Sequence, residues 1–351
     1  MIRGIALLLL AAATSARSQV NVVHVPRVEV PDFDVEVPDV SLAMAGEDEG
    51  DEEDADQALR DADKSRRNAR EWYRDSMRGF HADDGSFDEK PTARAEGKDG
   101  SATLAVKGPV TVRLRVQAGE ALVVASDKPQ VVVKVRGVPR PRDLQLLQFG
   151  DRVEARIGGS SQLRHGEMRV EVPKGSTVDF ASTSGDLTVE GLGGDVRVRT
   201  MSGDVKVEGA RNADVQSISG DVKVGVSGPK LRLHVVSGNA VATTSDPAVQ
   251  LNFESASGNL DWSGVCAKGC HVSTQTVSGQ IKLKPDTSKS SFELSYASHS
   301  GDLRDDLNLQ VKRAPKRKHG GTGGWLEAVY GKGEGVIECD AFSGDVIVGK
   351  K

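Results

Sequence analysis

Apolar and polar residues alternate through most of this chain in short bursts. Leu187 and Val189, Val196 and Val198, Val205 and Val207, and Val222 and Val224 each stand two apart, with Thr, Arg or Lys between them. A period of two predicts strands buried on one face. The same parity runs backwards through the polar triplet before each pair. Phe180, Val215, Leu233, Phe253 and Tyr296 lie five places before a glycine, and Val178, Ala213, Leu231, Leu251 and Val272 lie seven before. Three places before it the residue is small, as at Ser182, Thr200, Ser217 and Thr276, which fits a tight inside corner. The pattern predicts strand, corner, strand, with one column of side chains inside. Thr188, Arg197, Lys206 and Lys223 form a wet wall outside.

The corners share one phrase, Ser-Gly-Asp-Val-x-Val and its variants. It occurs at Gly185-Asp186, Gly194-Asp195, Gly203-Asp204 and Gly220-Asp221, and more loosely at Gly238, Gly258, Gly279, Gly301 and Gly344. The expected roles are structural. Glycine supplies a backbone conformation other residues resist, and the following Asp or Asn hydrogen-bonds its own turn. A repeat of roughly 18–22 residues marks a stacked architecture with rungs about 4.8 Å apart. The expected fold is all-β, a β-solenoid or β-roll. Gly108 to Val172 alternates without the clean repeat and reads as the first, irregular coils. Lys312 to Gly324 reads as a basic insertion that stretches the spacing between Gly301 and Gly344.

The serial phrase resembles a bacterial family of domains of unknown function that goes by the name putative adhesin, as do Gly331-Lys332-Gly333-Glu334-Gly335 and a last Ser343-Gly344-Asp345-Val346-Ile347-Val348. The resemblance covers about Gly100 to the C-terminus. It implies a β-solenoid in an exported or envelope protein and carries no catalytic residue across.

Upstream, residues 1–18 read as a secretory signal: Arg3, an apolar run from Ile5 to Ala13, and a small-x-small site at Ala16-Arg17-Ser18. The run is shorter than the roughly 20 residues a membrane span needs, so no transmembrane segment is expected after cleavage. Residues 19–54 read as an extended tether, alternating Val with charge and broken by Pro26, Pro31 and Pro38, then strongly acidic and disordered. Residues 55–82 suit a helix with a ragged apolar stripe, able to cap an open end of the stack, and 83–99 suit a linker. Residues 100–351 form the solenoid domain.

Composition narrows the chemistry. A formal net charge of −5, with 28% charged residues and 4% aromatics, leaves no general nucleic-acid footprint. The Asp column suggests calcium, but one Gly-Asp per rung leaves too few oxygens for a cation that takes six to eight, so the reading is a structural turn with no metal or cofactor. Cys266 and Cys270 flank a short loop and suit a disulfide in an exported protein. Cys339 falls on an inward position and reads as a buried thiol. The seven histidines have no metal-ligand spacing, with His234 and His299 outward. No hydrolase or phosphate-loop motif is present. The residues point to a non-enzymatic module in the periplasm, on the outer surface or secreted, acting as a structural or adhesion unit for an unidentified envelope or surface partner. Two alternatives stand: a β-helix enzyme acting on surface polysaccharide, and a periplasmic stress or signalling component.

Overall fold

Strands form wherever the alternation runs. The computed structural model describes residues 90–137, 144–157, 166–314 and 324–350, and among these every regular element is a strand. The expected signal, tether and helix lie outside the described residues. Within the stretch read as linker, Ala93–Glu96 forms β1, antiparallel to β5 (Leu144–Phe149). Its alternation is too short to stand out in sequence, yet Ala93 and Ala95 pack on the core.

Two kinds of rung appear. In β3 (Thr111–Ser126), β8 (Thr177–Glu190), β13 (Lys230–Thr244) and β14 (Gln250–Gly264) one strand runs through the corner. Elsewhere the corner splits the rung into two arms. These pairs are β9 (Val196–Ser202) and β10 (Val205–Ala210), β11 (Ala213–Ser219) and β12 (Val222–Val226), and β15 (His271–Ser278) and β16 (Ile281–Pro285). The last two pairs are β17 (Phe292–Ser298) with β18 (Leu303–Asp305), and β21 (Gly335–Ser343) with β22 (Val346–Val348).

First arms stack on first arms and second arms on second arms, all parallel. Val178 pairs with Val196, Val196 with Ala213, Ala213 with Leu231, and Leu231 with Leu251. On the other side Leu187 pairs with Val205, Val205 with Val222, and Val222 with Ala240. The inward column is closed to water: Phe180, Val215, Leu233, Phe253, Trp262, Ile281 and Leu283 are at most 1% exposed. Each such side chain contributes roughly 1.5–3 kcal/mol by leaving water.

Stack order departs from chain order at both ends. The rung of β21 and β22 is last in sequence but lies between β15/β16 and β17/β18. At the other end β6 (Arg152–Ile157) and β7 (Glu167–Pro173) lie outside β3, although β3 precedes them and β8 follows them. Antiparallel strands cover the flanks: β5 on β6, and β4 (Gln130–Arg136) on β7 with β2 (Ser101–Ala105) on β4. At the far end β20 (Gly324–Tyr330) covers β17, and β19 (Gln310–Arg313) covers β20. The gap between Gly301 and Gly344 therefore holds four strands, β18 to β21, of which β19 and β20 take up the two ends of the stretch read as a basic insertion. Lys312 and Arg313 lie on β19, and Lys316 to His319 fall outside the described residues.

Candidate interaction surface

The corner residues form a ladder along the stack. A Cβ added at Gly203 would approach the Gly185 carbonyl oxygen to 2.6 Å, and one at Gly258 would approach that of Gly238 to 2.7 Å. Gly220, Gly238, Gly279, Gly344 and Gly301 repeat this against Gly203, Gly220, Gly258, Gly279 and Gly344 in turn. Glycine is needed here because neighbouring backbones nearly touch.

The Asp and Asn side chains do not close their own turns. Asp186 Oδ1 accepts from the Asp204 amide at 2.8 Å, and Asp204 Oδ1 accepts from the Asp221 amide at 2.9 Å. Asp221 Oδ1 accepts from the Asn239 amide, and Asn259 Oδ1 from the Gln280 amide. Asp345 Oδ1 accepts from the Asp302 amide. A short carboxylate at this corner points along the stack, where the next rung offers an amide, so the bond runs between rungs. The serines add a second tie: Ser202 and Ser219 hydroxyls donate to the carbonyls of Thr183 and Met201 one rung away.

Gly194 and Asp195 do not belong to this ladder. A Cβ at Gly194 would overlap the Ser176 carbonyl, and Asp195 accepts from Asn212 Nδ2 at 2.8 Å, while Asn212 Oδ1 accepts from the Lys230 amide. Their nine-residue spacing is half of the 18-residue step between Asp186 and Asp204, so they occupy the opposite corner of the coil.

Cys266 and Cys270 are joined in a disulfide and buried. The Cys270 carbonyl accepts from the Val336 amide at 2.9 Å, and Gly335 leaves room for the Cys266 Sγ, so this corner seats the start of β21. Cys339 is a buried free thiol between Thr274 and Tyr296. Burial pushes it up to about 12, against a smaller pull from its hydrogen bond with Thr274. Burial also raises the Tyr296 phenol, whose hydroxyl donates to the Gly301 carbonyl at 2.8 Å.

On the outer wall, His234 Nδ1 lies 3.1 Å from Glu254 Oε2, and Asn252 Nδ2 donates to Glu254 Oε1. The hydrogen bond from His234 is the main reason the Glu254 carboxyl sits below its ordinary range; burial opposes it. Glu154, 5% exposed, meets Arg113, Arg152 and Arg156, and the last two also lie over the Phe149 ring. His299 stacks on Phe342 at 4.8 Å. Among the described residues no three His, Cys, Asp or Glu side chains group as metal ligands would, and no helix is long and apolar enough to cross a membrane.

The geometry of the corners and walls falls within the span of a known family model. The model described as Toastrack DUF4097 matches residues 111–348, well over half of the chain. This chain belongs to the Toastrack DUF4097 family. The Toastrack span opens at the first residue of β3 and closes at the last residue of β22, so it takes in the whole Gly ladder and leaves β1 and β2 outside. Two solved structures are similar to this Toastrack chain. One is a putative adhesin from Bacteroides fragilis NCTC 9343, at 14% identity and a TM-score of 0.40, covering 71% of this chain and 95% of that one. The other is a putative cell adhesion protein from Clostridium sporogenes ATCC 15579, at 10% identity and a TM-score of 0.21, covering 75% and 100%. At these scores neither likeness carries a functional argument. No curated protein matches the chain.

Two surface features had no clear sequence signal. Trp325 is 46% exposed on β20, a strand that belongs to no repeat. The pairing of His234 with Glu254 joins residues 20 apart that only the stacking register brings together.

Proposed function

We propose that the stack is a β-solenoid acting as a rigid, non-enzymatic binding or structural module, exported to the bacterial envelope or cell surface. The observation that carries this reading is the continuity of the outer walls. Charged and polar side chains stand in register from rung to rung, as Arg232 does beside Asn252 and Lys206 beside Lys223. Rigid rows at a fixed spacing of about 4.8 Å suit recognition of an extended, repetitive partner, with little ordering entropy lost on binding. Of the aromatic side chains a sugar-cleaving groove would use, Phe180, Phe253, Trp262, Phe292 and Tyr296 are buried, which leaves Trp325 as the most exposed aromatic among the described residues. The signal-like residues 1–18 support export.

The test is retention of the purified chain on its own host's envelope, combined with a polysaccharide panel assayed for released reducing ends. Saturable retention without cleavage is expected. Specific cleavage of any polysaccharide overturns the reading in favour of a β-helix enzyme.

A further inference from the structure

The outer face of the first-arm stack changes sign along its length. Toward β6 it carries Arg113, Arg115, Arg156, Arg197, Arg199 and Arg232 in neighbouring rows, against Glu154, Asp179 and Asp214. Toward β20 it carries Glu254, Glu338, Asp340, Glu293 and Glu327. Lys312 and Arg313 on β19 pair with Glu293 and Glu327, His271 lies 3.7 Å from Glu338, and Asp340 also has an interaction within the chain, yet the acids on this half outnumber the lysine and arginine beside them. The sign changes between the neighbouring strands β13 and β14, where His234 meets Glu254. Arg197 is exposed and Arg199 half-buried, and neither has an ion-pair partner among the described residues.

We propose that this face docks a second copy of the chain, antiparallel, about a two-fold axis passing between β13 and β14. That axis sets β13 against β14, β11 against β15, and β9 against β21. Arg197 and Arg199 on β9 of one copy then face Glu338 and Asp340 on β21 of the other, and the same contact recurs by symmetry, closing the dimer. A parallel arrangement would set like charges together. An anionic polymer would use the arginine half and be repelled from the acidic half, so a copy of the chain is the occupant that both halves fit. Size permits it. An arm of about five residues at about 3.3 Å per residue and about 4.8 Å between strands presents roughly 80 Å² per rung. A standard interface of roughly 800 Å² per partner then needs about ten rungs, within the run from β6 to β20.

The experiment is sedimentation velocity on the full chain at about 50 mM and about 500 mM salt, where screening differs strongly. A dimer is expected at low salt, with its Kd weakened at least tenfold at high salt. The variants Arg197→Glu/Arg199→Glu and Glu338→Arg/Asp340→Arg should each be monomeric while keeping the parent's circular dichroism spectrum. Mixed, they should form a heterodimer, because each reversed half then meets its complement. A monomer at low salt, or a mixture that stays monomeric, overturns the proposal. So does a chain that remains monomeric and is held by heparin, which would assign the arginine half to an anionic polymer.

Discussion

At the scale of single residues, the corner phrase divides its labour. The serine hydroxyl reaches back to a carbonyl of the neighbouring rung, the glycine lets the two backbones close up, and the acid accepts the next rung's amide. Gly220 is a demanding position to substitute, as Gly238 and Gly279 are. Its φ is +113°, and an added Cβ would run into the Gly203 carbonyl, whereas Gly225, in strand β12, has only the Val207 carbonyl at 3.8 Å. Gly220→Ala should therefore cost about 2–3 kcal/mol through strain and backbone displacement. Gly225→Ala should fall within about 0.5 kcal/mol of the parent or slightly above it, since alanine reduces the freedom of the unfolded chain. Urea midpoints at unchanged slope measure both. Equal effects at the two sites would mean that the corners do not approach as described. Which residues point inward was legible in the sequence, because parity alone sorts them: Leu233, Phe253 and Ile281 are buried as the period of two requires. The partner of the Asp side chain was not legible, since a local turn and a neighbouring rung offer it equally good amides.

At the scale of the element, the side-chain ladder adds to the backbone ladder. Asp221 Oδ1 takes bonds from both the amide and the Nδ2 of Asn239, at 3.2 and 3.0 Å, while the Asp221 amide donates to Asp204. These bonds are exposed, so each is worth about 0.5–1.5 kcal/mol. Asp221→Ala should destabilise by about 1–2 kcal/mol, and Asp221→Asn, which keeps an oxygen for the amide, by less than half of that. Thermal melts of the two variants decide the matter; an alanine variant as stable as the asparagine one would remove the ladder from the account. Gly194 shows why element boundaries were only partly legible. Its phrase differs from the others only in Gly193, which stands where they have Ser, and a nine-residue step covers half a coil, so one substitution was the only local mark that tells one corner from the other. The opposite corner uses the same chemistry through Asp195, Asn212 and Lys230.

At the scale of the whole stack, chain order and spatial order part company at both ends. Parallel strands need long crossovers, and a rung that leaves the stack can return on either side of its predecessor. The chain from Gly301 to Gly344 leaves through β18, β19 and β20 and comes back inside, so that β21 is held between β15 and β17 on the disulfide corner. Each terminal rung of the repeat is thereby clamped by a segment distant in sequence, and antiparallel strands cover the flanks that would otherwise offer free edges. Repeat spacing could not reveal this, because serial and interleaved stacking place the same residues inward. Paired cysteines on the outer wall distinguish them. Gln275 pairs directly with Asp340, and Ala297 lies on the far side of Asp340. Gln275→Cys/Asp340→Cys should be joined in high yield by a thiol cross-linker that spans about one strand spacing of 4.8 Å, and Gln275→Cys/Ala297→Cys should not. The reverse result, efficient joining of 275 to 297 and little of 275 to 340, would contradict the stacked register on which the walls, the ladder and the docking face all depend.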